Sequence, residues 1–120
     1  MLVGGRTKAM DIRVRRVAGY TVLEAAGELD MYTAPTLREH LLDQSRAGHH
    51  HLIIDMTEVM FMDSSGLGVL VGGSKRARAA GTVSIAGASG QILGTLRITG
   101  LSKVFPVFAT VAEALPAAAQ

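Results

Sequence analysis

The sequence contains no cysteine, which excludes disulfide bonds and metal sites built from thiolates. It also has no long apolar run. The longest stretch of apolar residues and glycine, Gly66 to Gly73, falls far short of the ~20 residues that a membrane-spanning helix needs. The N-terminus lacks the apolar core of a signal peptide. These absences predict a soluble, cytoplasmic protein with no membrane segment.

Charge of one sign is also scarce. The formal net charge is only +2, and Lys and Arg are dispersed, so no basic run predicts direct nucleic-acid binding. A length of 120 residues suits one compact domain. We expect that domain over residues 11–116, after a flexible, Gly-rich and basic tail over residues 1–10. Met10 is an alternative to Met1 as the translation start.

Hydrophobic periodicity predicts alternating strands and helices. Strands are predicted at residues 12–17, 20–26, 51–55 and 82–86, with an extended segment at 104–108. Helices are predicted between the N-cap Thr33 and Gly48, between Ser65 and Gly81, at 91–98 and at 111–115. Residues 56–62 are predicted to form a loop. Repeated strand–helix alternation after an initial hairpin predicts an α/β fold with a mostly parallel sheet.

The run Asp63-Ser64-Ser65-Gly66 lies between a predicted buried strand and a predicted helix. The first N–H groups of a helix lack intrahelical partners, so we expect Asp63 or Ser64 to cap them. Two neighbouring hydroxyls exceed what one cap needs. Glycines also crowd the helix that follows, and each interior Gly costs up to ~1 kcal/mol relative to Ala. This pattern indicates that something approaches the helix backbone closely.

A phosphate on Ser64 suits this position. A helix N-terminus stabilises anions, although Asp63 opposes the added charge of about −1.5 to −2. One unit-charge pair at ~4 Å is worth ~4 kcal/mol at an effective dielectric of about 20. Moving a binding equilibrium from mostly bound to mostly free takes roughly 5.5 kcal/mol. A phosphate that faces partner carboxylates is therefore predicted to act as a switch.

The same residues resemble a known family. The segment Phe61-Met62-Asp63-Ser64-Ser65-Gly66-Leu67-Gly68-Val69 is similar to the signature of anti-sigma factor antagonists, the stand-alone STAS domains of bacterial sporulation and stress control. Two further segments resemble this family, and they are Gly27-Glu28-Leu29-Asp30 with Thr33-Ala34-Pro35, and Arg97-Ile98-Thr99-Gly100-Leu101 with Lys103-Val104-Phe105. The resemblance runs from about Asp11 to Leu115, nearly the whole chain.

The resemblance implies a fold and a mechanism. The implied fold is a STAS-type mixed sheet of four to five strands, with helices packed mainly on one face. The unphosphorylated protein would bind an anti-sigma factor, which releases a sigma factor to transcription. That anti-sigma factor would be an ATP-dependent serine kinase that phosphorylates Ser64 and so ends the complex. A metal-dependent serine phosphatase would restore binding. The protein itself would be a monomer when free, and not an enzyme.

The resemblance also assigns residues. Ser64 matches the phosphoacceptor and Asp63 the residue that flanks it. Asp30 matches a position at the partner surface, and Ser65 and Gly66 complete the expected partner-binding set. No catalytic residue, cofactor or metal ligand is expected.

Other chemistry fits the sequence less well. No Gly-x-Ser-x-Gly elbow of a serine hydrolase surrounds Ser64, and no phosphate-binding Gly-x-x-x-x-Gly-Lys-Ser/Thr loop occurs. Adjacent strand residues point to opposite faces, so the run of histidines at 49–51 indicates the start of a strand more than a metal site. The carboxylates of Glu28, Asp30, Asp43 and Asp55 are interpreted as surface groups. The remaining alternative is a STAS adaptor, scaffold or small-ligand sensor that is not phosphorylated.

Overall fold

The computed structural model describes residues 10–117, so the predicted tail, apart from Met10, lies outside the described residues. A five-stranded mixed sheet has the order β1-β2-β3-β4-β5. The strands are β1 Asp11–Val17, β2 Tyr20–Leu29, β3 His51–Met62, β4 Thr82–Ala86 and β5 Val107–Phe108. β1 is antiparallel to β2, and the other neighbours are parallel. The predicted mixed sheet of four to five strands is confirmed.

Helices cover mainly one face of this sheet. They are α1 Ala34–Arg46, α2 Ser64–Gly73, α3 Lys75–Ala80, α4 Gly90–Ile98 and α5 Val111–Ala114. The first four pack their apolar residues into the main core, and α5 covers a smaller cluster around Val22, Ile53 and Ala86 on the opposite face. None of the helices within residues 10–117 combines the length and the apolar character needed to cross a bilayer.

Residues 56–62, predicted as a loop, continue β3 instead, so that prediction is wrong. The pairing of β3 with β2 shifts register at two places, and each shift inserts one extra residue into β3 as a β-bulge. The buried residues Met56, Val59 and Met62 are therefore three apart, whereas an uninterrupted strand would bury every second residue. Because of the bulges, this part of β3 lacks the alternation of buried and exposed residues by which a strand is recognised in a sequence. β2 likewise runs to Leu29, three residues beyond its predicted end.

The single helix predicted after Ser65 is divided at Ser74 into α2 and α3. The buried Ser74 hydroxyl donates to the carbonyl oxygen of Leu70, and Arg78 Nη2 donates to the carbonyl oxygen of Val71 at 2.7 Å. Hydroxyl bonds to the carbonyl four residues earlier bend helices because they compete with the backbone ladder. At the break between α2 and α3, the carbonyl oxygens of Leu70 and Val71 therefore accept hydrogen bonds from side chains.

Candidate functional site

The candidate site lies where β2 and β3 end side by side. Leu29 pairs with Met62 in the parallel register, and the N–H of Asp63 donates to the carbonyl oxygen of Leu29 at 3.1 Å. The carboxyl ends of parallel strands are the common location for binding sites in α/β folds. The extended strands thus bring Asp30 and the start of α2 to one edge of the sheet.

Asp63 is the N-cap of α2. Its Oδ1 accepts hydrogen bonds from the backbone N–H of Ser65 at 2.8 Å and of Gly66 at 3.4 Å. Asp63 or Ser64 was expected in this role, and the structure selects Asp63. Ser64 is exposed and Ser65 is half-buried. Within residues 10–117 the Ser64 hydroxyl has no hydrogen-bond partner, so it is free for chemistry that leaves the cap intact.

The glycines of α2 divide into two pairs. Gly66 and Gly73 are buried, and a Cβ at Gly66 would lie 2.7 Å from Leu29 Cγ, while one at Gly73 would lie 3.0 Å from Leu41 Cδ1. The sequence indicated that something approaches the backbone of this helix closely. At Gly66 and Gly73 the approaching groups are core side chains of the protein itself. Gly68 and Gly72 are exposed, with nothing within 4 Å of a Cβ at either position. With Ser64 they follow a spacing of four residues, which places all three on one exposed face of the helix.

Asp30 organises the turn that leads into α1. Its Oδ1 accepts from the N–H of Tyr32 at 2.9 Å and of Thr33 at 3.1 Å. Thr33 occupies the N-cap position, but its predicted side-chain cap is wrong. Its hydroxyl instead donates to the carbonyl oxygen of Glu28 at 2.6 Å and accepts from the N–H of Asp30 at 3.0 Å. The polar groups of this turn therefore bond within the turn, which fixes its shape beside Ser64.

Large apolar side chains at the same end of the sheet are exposed. Met31 and Tyr32 follow β2, whereas Met60 and Phe61 lie near the end of β3. We call these four residues the apolar rim. Tyr32 is 83% exposed and Met60 is 80% exposed. All four belong to the end of the sheet where β2 and β3 pair last, and exposed apolar surface of this kind is typical of protein interaction sites. Sequence reasoning missed the rim because bulges and turns give these residues no regular period.

A family model described as the STAS domain matches residues 11–114. The chain belongs to the STAS domain family. Over 83 residues it is 41% identical to an anti-sigma-B factor antagonist of Listeria monocytogenes, an alignment that spans 68% of this chain and 73% of that relative. The resemblance to anti-sigma factor antagonists that the sequence motifs indicated is thereby confirmed.

Solved structures agree with this family. The STAS domain superimposes on an anti-sigma factor antagonist from Mycobacterium paratuberculosis with a TM-score of 0.81 at 28% identity, covering 88% of this chain and 91% of that one. It also superimposes on the Bacillus cell fate determinant SpoIIAA in its phosphorylated form with a TM-score of 0.68 at 25% identity, covering 87% and 96%.

Other polar residues that the sequence analysis considered lie away from this site. Asp43 pairs with Arg46 at 3.1 Å on the surface of α1. Asp55 accepts from the hydroxyl of Thr57 at 2.6 Å. His51 begins β3, in agreement with the strand start indicated by the histidine run. Among residues 10–117, His, Asp and Glu form no group of three or more that is placed to hold a metal ion.

The cap gives a first prediction. Asp63→Ala should lower the free energy of unfolding by about 1 kcal/mol, because an N-cap side chain replaced by Ala typically costs ~0.5–2 kcal/mol. Asp63→Asn should lose much less, since an amide oxygen can accept the same bonds. Urea unfolding followed by circular dichroism measures both. Equal stability of Asp63→Ala and the unmodified protein would show that the two bonds contribute nothing.

Proposed function

We propose that this STAS domain is an anti-sigma factor antagonist. Its unphosphorylated form binds an anti-sigma factor that is an ATP-dependent serine kinase, and a sigma factor is released to transcription. Phosphorylation of Ser64 ends the complex, and a metal-dependent serine phosphatase restores binding. The domain acts as a binding partner and as the kinase's substrate, with no reaction of its own. Its similarity to anti-sigma factor antagonists supports this role. The observation that most supports phosphorylation of Ser64 is its exposed hydroxyl, which has no hydrogen-bond partner among residues 10–117.

The division of labour at the start of α2 supports Ser64 as the acceptor. Asp63 already bonds the free N–H groups of Ser65 and Gly66, so modifying Ser64 removes no cap. The new phosphate would lie at the positive end of the helix dipole, which stabilises an anion there. Phosphorylation should therefore leave the fold intact and act on the bound partner.

The partner surface that we propose joins the apolar rim to the exposed face of α2. Gly68 and Gly72 carry no side chain on that face, so a partner backbone can approach the helix closely. Tyr32 supplies a large exposed aromatic ring in the rim, and aromatic residues are common hot spots of protein interfaces. Ser64 begins this face, hence a phosphate there would place charge and bulk inside the contact.

The test is recovery of a kinase on the immobilised protein. Bacterial lysate depleted of nucleotides is passed over the protein, and bound proteins are identified by mass spectrometry and assayed for ATP binding. We expect an anti-sigma factor serine kinase that is retained without ATP and released after ATP is added. An adaptor or small-ligand sensor would recover no such kinase, and that result would contradict the proposed function.

The apolar rim gives a second prediction. Tyr32→Ala and Met60→Ala should each weaken kinase binding by roughly tenfold, because truncating a hot-spot side chain costs more than ~1 kcal/mol. Their exposure implies little change in stability. Ile98→Ala is the matched control, since Ile98 is 88% exposed but ends α4, outside the proposed partner surface. Isothermal titration calorimetry measures the dissociation constant of each variant with the kinase. Equal losses of affinity for all three variants would show that the rim is not part of the interface.

A further inference from the structure

The side-chain amide of Gln91, the second residue of α4, bonds the backbone of Met62. Gln91 Nε2 donates to the Met62 carbonyl oxygen at 2.9 Å, and the Met62 N–H donates to Gln91 Oε1 at 3.4 Å. Met62 directly precedes the cap Asp63 and the acceptor Ser64. One exposed side chain thus contacts both polar groups of the residue that leads into the phosphoacceptor turn.

The topology explains why Met62 needs this partner. β4 pairs with β3 only as far as Asp55 and Ala86, so the β4-side edge of β3 lies open beyond that point. Backbone polar groups of successive strand residues point to opposite edges. Asp63 donates to Leu29 on the β2 side, which leaves the N–H and C=O of Met62 on the open side. An amide side chain has one acceptor oxygen and a donor nitrogen, so Gln91 supplies what a neighbouring strand would.

Gln91 is itself held in place. Its Nε2 lies 3.2 Å from Thr95 Oγ1, one helical turn further along. Ile92 and Leu96 anchor the same helix in the main core. The amide therefore projects from a fixed support, and its bonds to Met62 connect α4 to the start of α2.

We propose that Gln91 is a positioning residue that fixes the orientation of Ser64 for phosphorylation. This inference rests on the proposed function, in which Ser64 is the acceptor. The end of β3 is fixed by Leu29 on one edge and by Gln91 on the other, while the Met62 side chain is buried. Loss of the Gln91 bonds frees one edge and lets the turn at Asp63 move. A kinase then meets Ser64 in several orientations, of which few are productive.

The contact between Gln91 and Met62 can be tested without a kinase. Hydrogen exchange of the Met62 amide is measured by NMR for the unmodified protein, Gln91→Ala, Gln91→Glu and the control Ile98→Ala. Gln91→Ala should lose protection by roughly three- to tenfold, the range expected for one or two neutral hydrogen bonds. Gln91→Glu should lose less, because its carboxylate can still accept from the Met62 N–H. Ile98→Ala alters the same helix at a side chain that is 88% exposed, keeps the Met62 bonds and should change protection by less than about twofold. Unchanged protection in Gln91→Ala would overturn the proposal.

Gln91→Glu adds a signature that a general loss of packing would not give. The ionised carboxylate accepts from the Met62 N–H but opposes the Met62 carbonyl oxygen. Protonation, near pH 4.3 for an unperturbed glutamate, restores a donor. The Met62 amide resonance of this variant should therefore titrate in that range, in addition to any change that the unmodified protein shows there. Absence of the extra titration would contradict direct contact.

The effect of Gln91 on the rate of Ser64 phosphorylation is tested with the kinase recovered on the immobilised protein. Gln91→Ala should lower kcat for Ser64 phosphorylation by roughly three- to tenfold with little change in KM, because positioning acts on the chemical step. Ile98→Ala should match the unmodified protein in both constants. A normal kcat in Gln91→Ala, despite lost Met62 protection, would overturn the positioning role. Failure of the unmodified protein to accept phosphate on Ser64 would instead overturn the proposed function, and the exchange data would still decide the geometry.

Discussion

Ser64→Asp is expected to weaken the complex with the anti-sigma factor kinase by at least about a hundredfold. A unit charge facing a partner carboxylate at ~4 Å costs ~4 kcal/mol at an effective dielectric near 20, and a hundredfold change in affinity corresponds to only ~2.8 kcal/mol. Ser64 is exposed at the start of α2, so the new carboxylate would lie in the proposed interface. Isothermal titration calorimetry in low-salt buffer measures the change.

Ser64→Asn separates charge from bulk, because its amide has the size of the aspartate carboxylate without the charge. We expect it to bind within about tenfold of the unmodified protein, since only bulk is added. Ser64→Ala should bind as the unmodified protein does and should remain bound when ATP is added. Equal dissociation constants for the unmodified protein and Ser64→Asp would contradict the electrostatic switch. Equal losses for Ser64→Asp and Ser64→Asn would assign the effect to bulk.

Gly66→Ala carries the largest expected loss of stability in α2. The added Cβ would lie 2.7 Å from Leu29 Cγ and 2.8 Å from Met62 Cγ, and both side chains are buried. Overpacking of a core typically costs ~1–3 kcal/mol because side chains leave their rotamers or the backbone shifts. This exceeds the gain in helix propensity, which is up to ~1 kcal/mol. The free energy of unfolding in urea should fall accordingly.

Gly72→Ala is the matched control on the same helix. Nothing lies within 4 Å of a Cβ at Gly72, so only the propensity gain applies, and the free energy of unfolding should rise by up to ~1 kcal/mol. Opposite signs for Gly66→Ala and Gly72→Ala would support the packing found around α2. A gain of stability in both variants would show that Gly66 is not closely packed.

Local chemistry made much of the site predictable. An acidic residue and two serines before a glycine-containing helix indicate an N-cap, and Asp63 bonds the first N–H groups as that pattern implies. Thr110 likewise caps α5 through the N–H of Glu113 at 3.1 Å. Helix caps can be predicted from the sequence because the donor and the acceptor lie within three residues of each other. The assignment of Ser64 as a phosphoacceptor came from the family resemblance and stays a prediction.

Features that depend on distant residues were not predictable in the same way. The bulges of β3 arise from its pairing with β2, so the sequence of β3 alone predicted a loop at residues 56–62. Gln91 and Met62 are 29 positions apart, and nothing near either residue indicates their contact. Thr33 has the usual chemistry of a helix cap, but its hydroxyl accepts from the N–H of Asp30 and donates to the carbonyl oxygen of Glu28 instead.

In the proposed mechanism, Ser64 is the residue that the kinase modifies. The most direct measurement incubates the protein with the kinase and ATP and maps the phosphate by mass spectrometry, with Ser64→Ala and Ser65→Ala as a pair of controls. We predict phosphate on Ser64 in the unmodified protein and in Ser65→Ala, and none in Ser64→Ala. Phosphorylation of Ser64→Ala to the same extent as the unmodified protein would contradict the account.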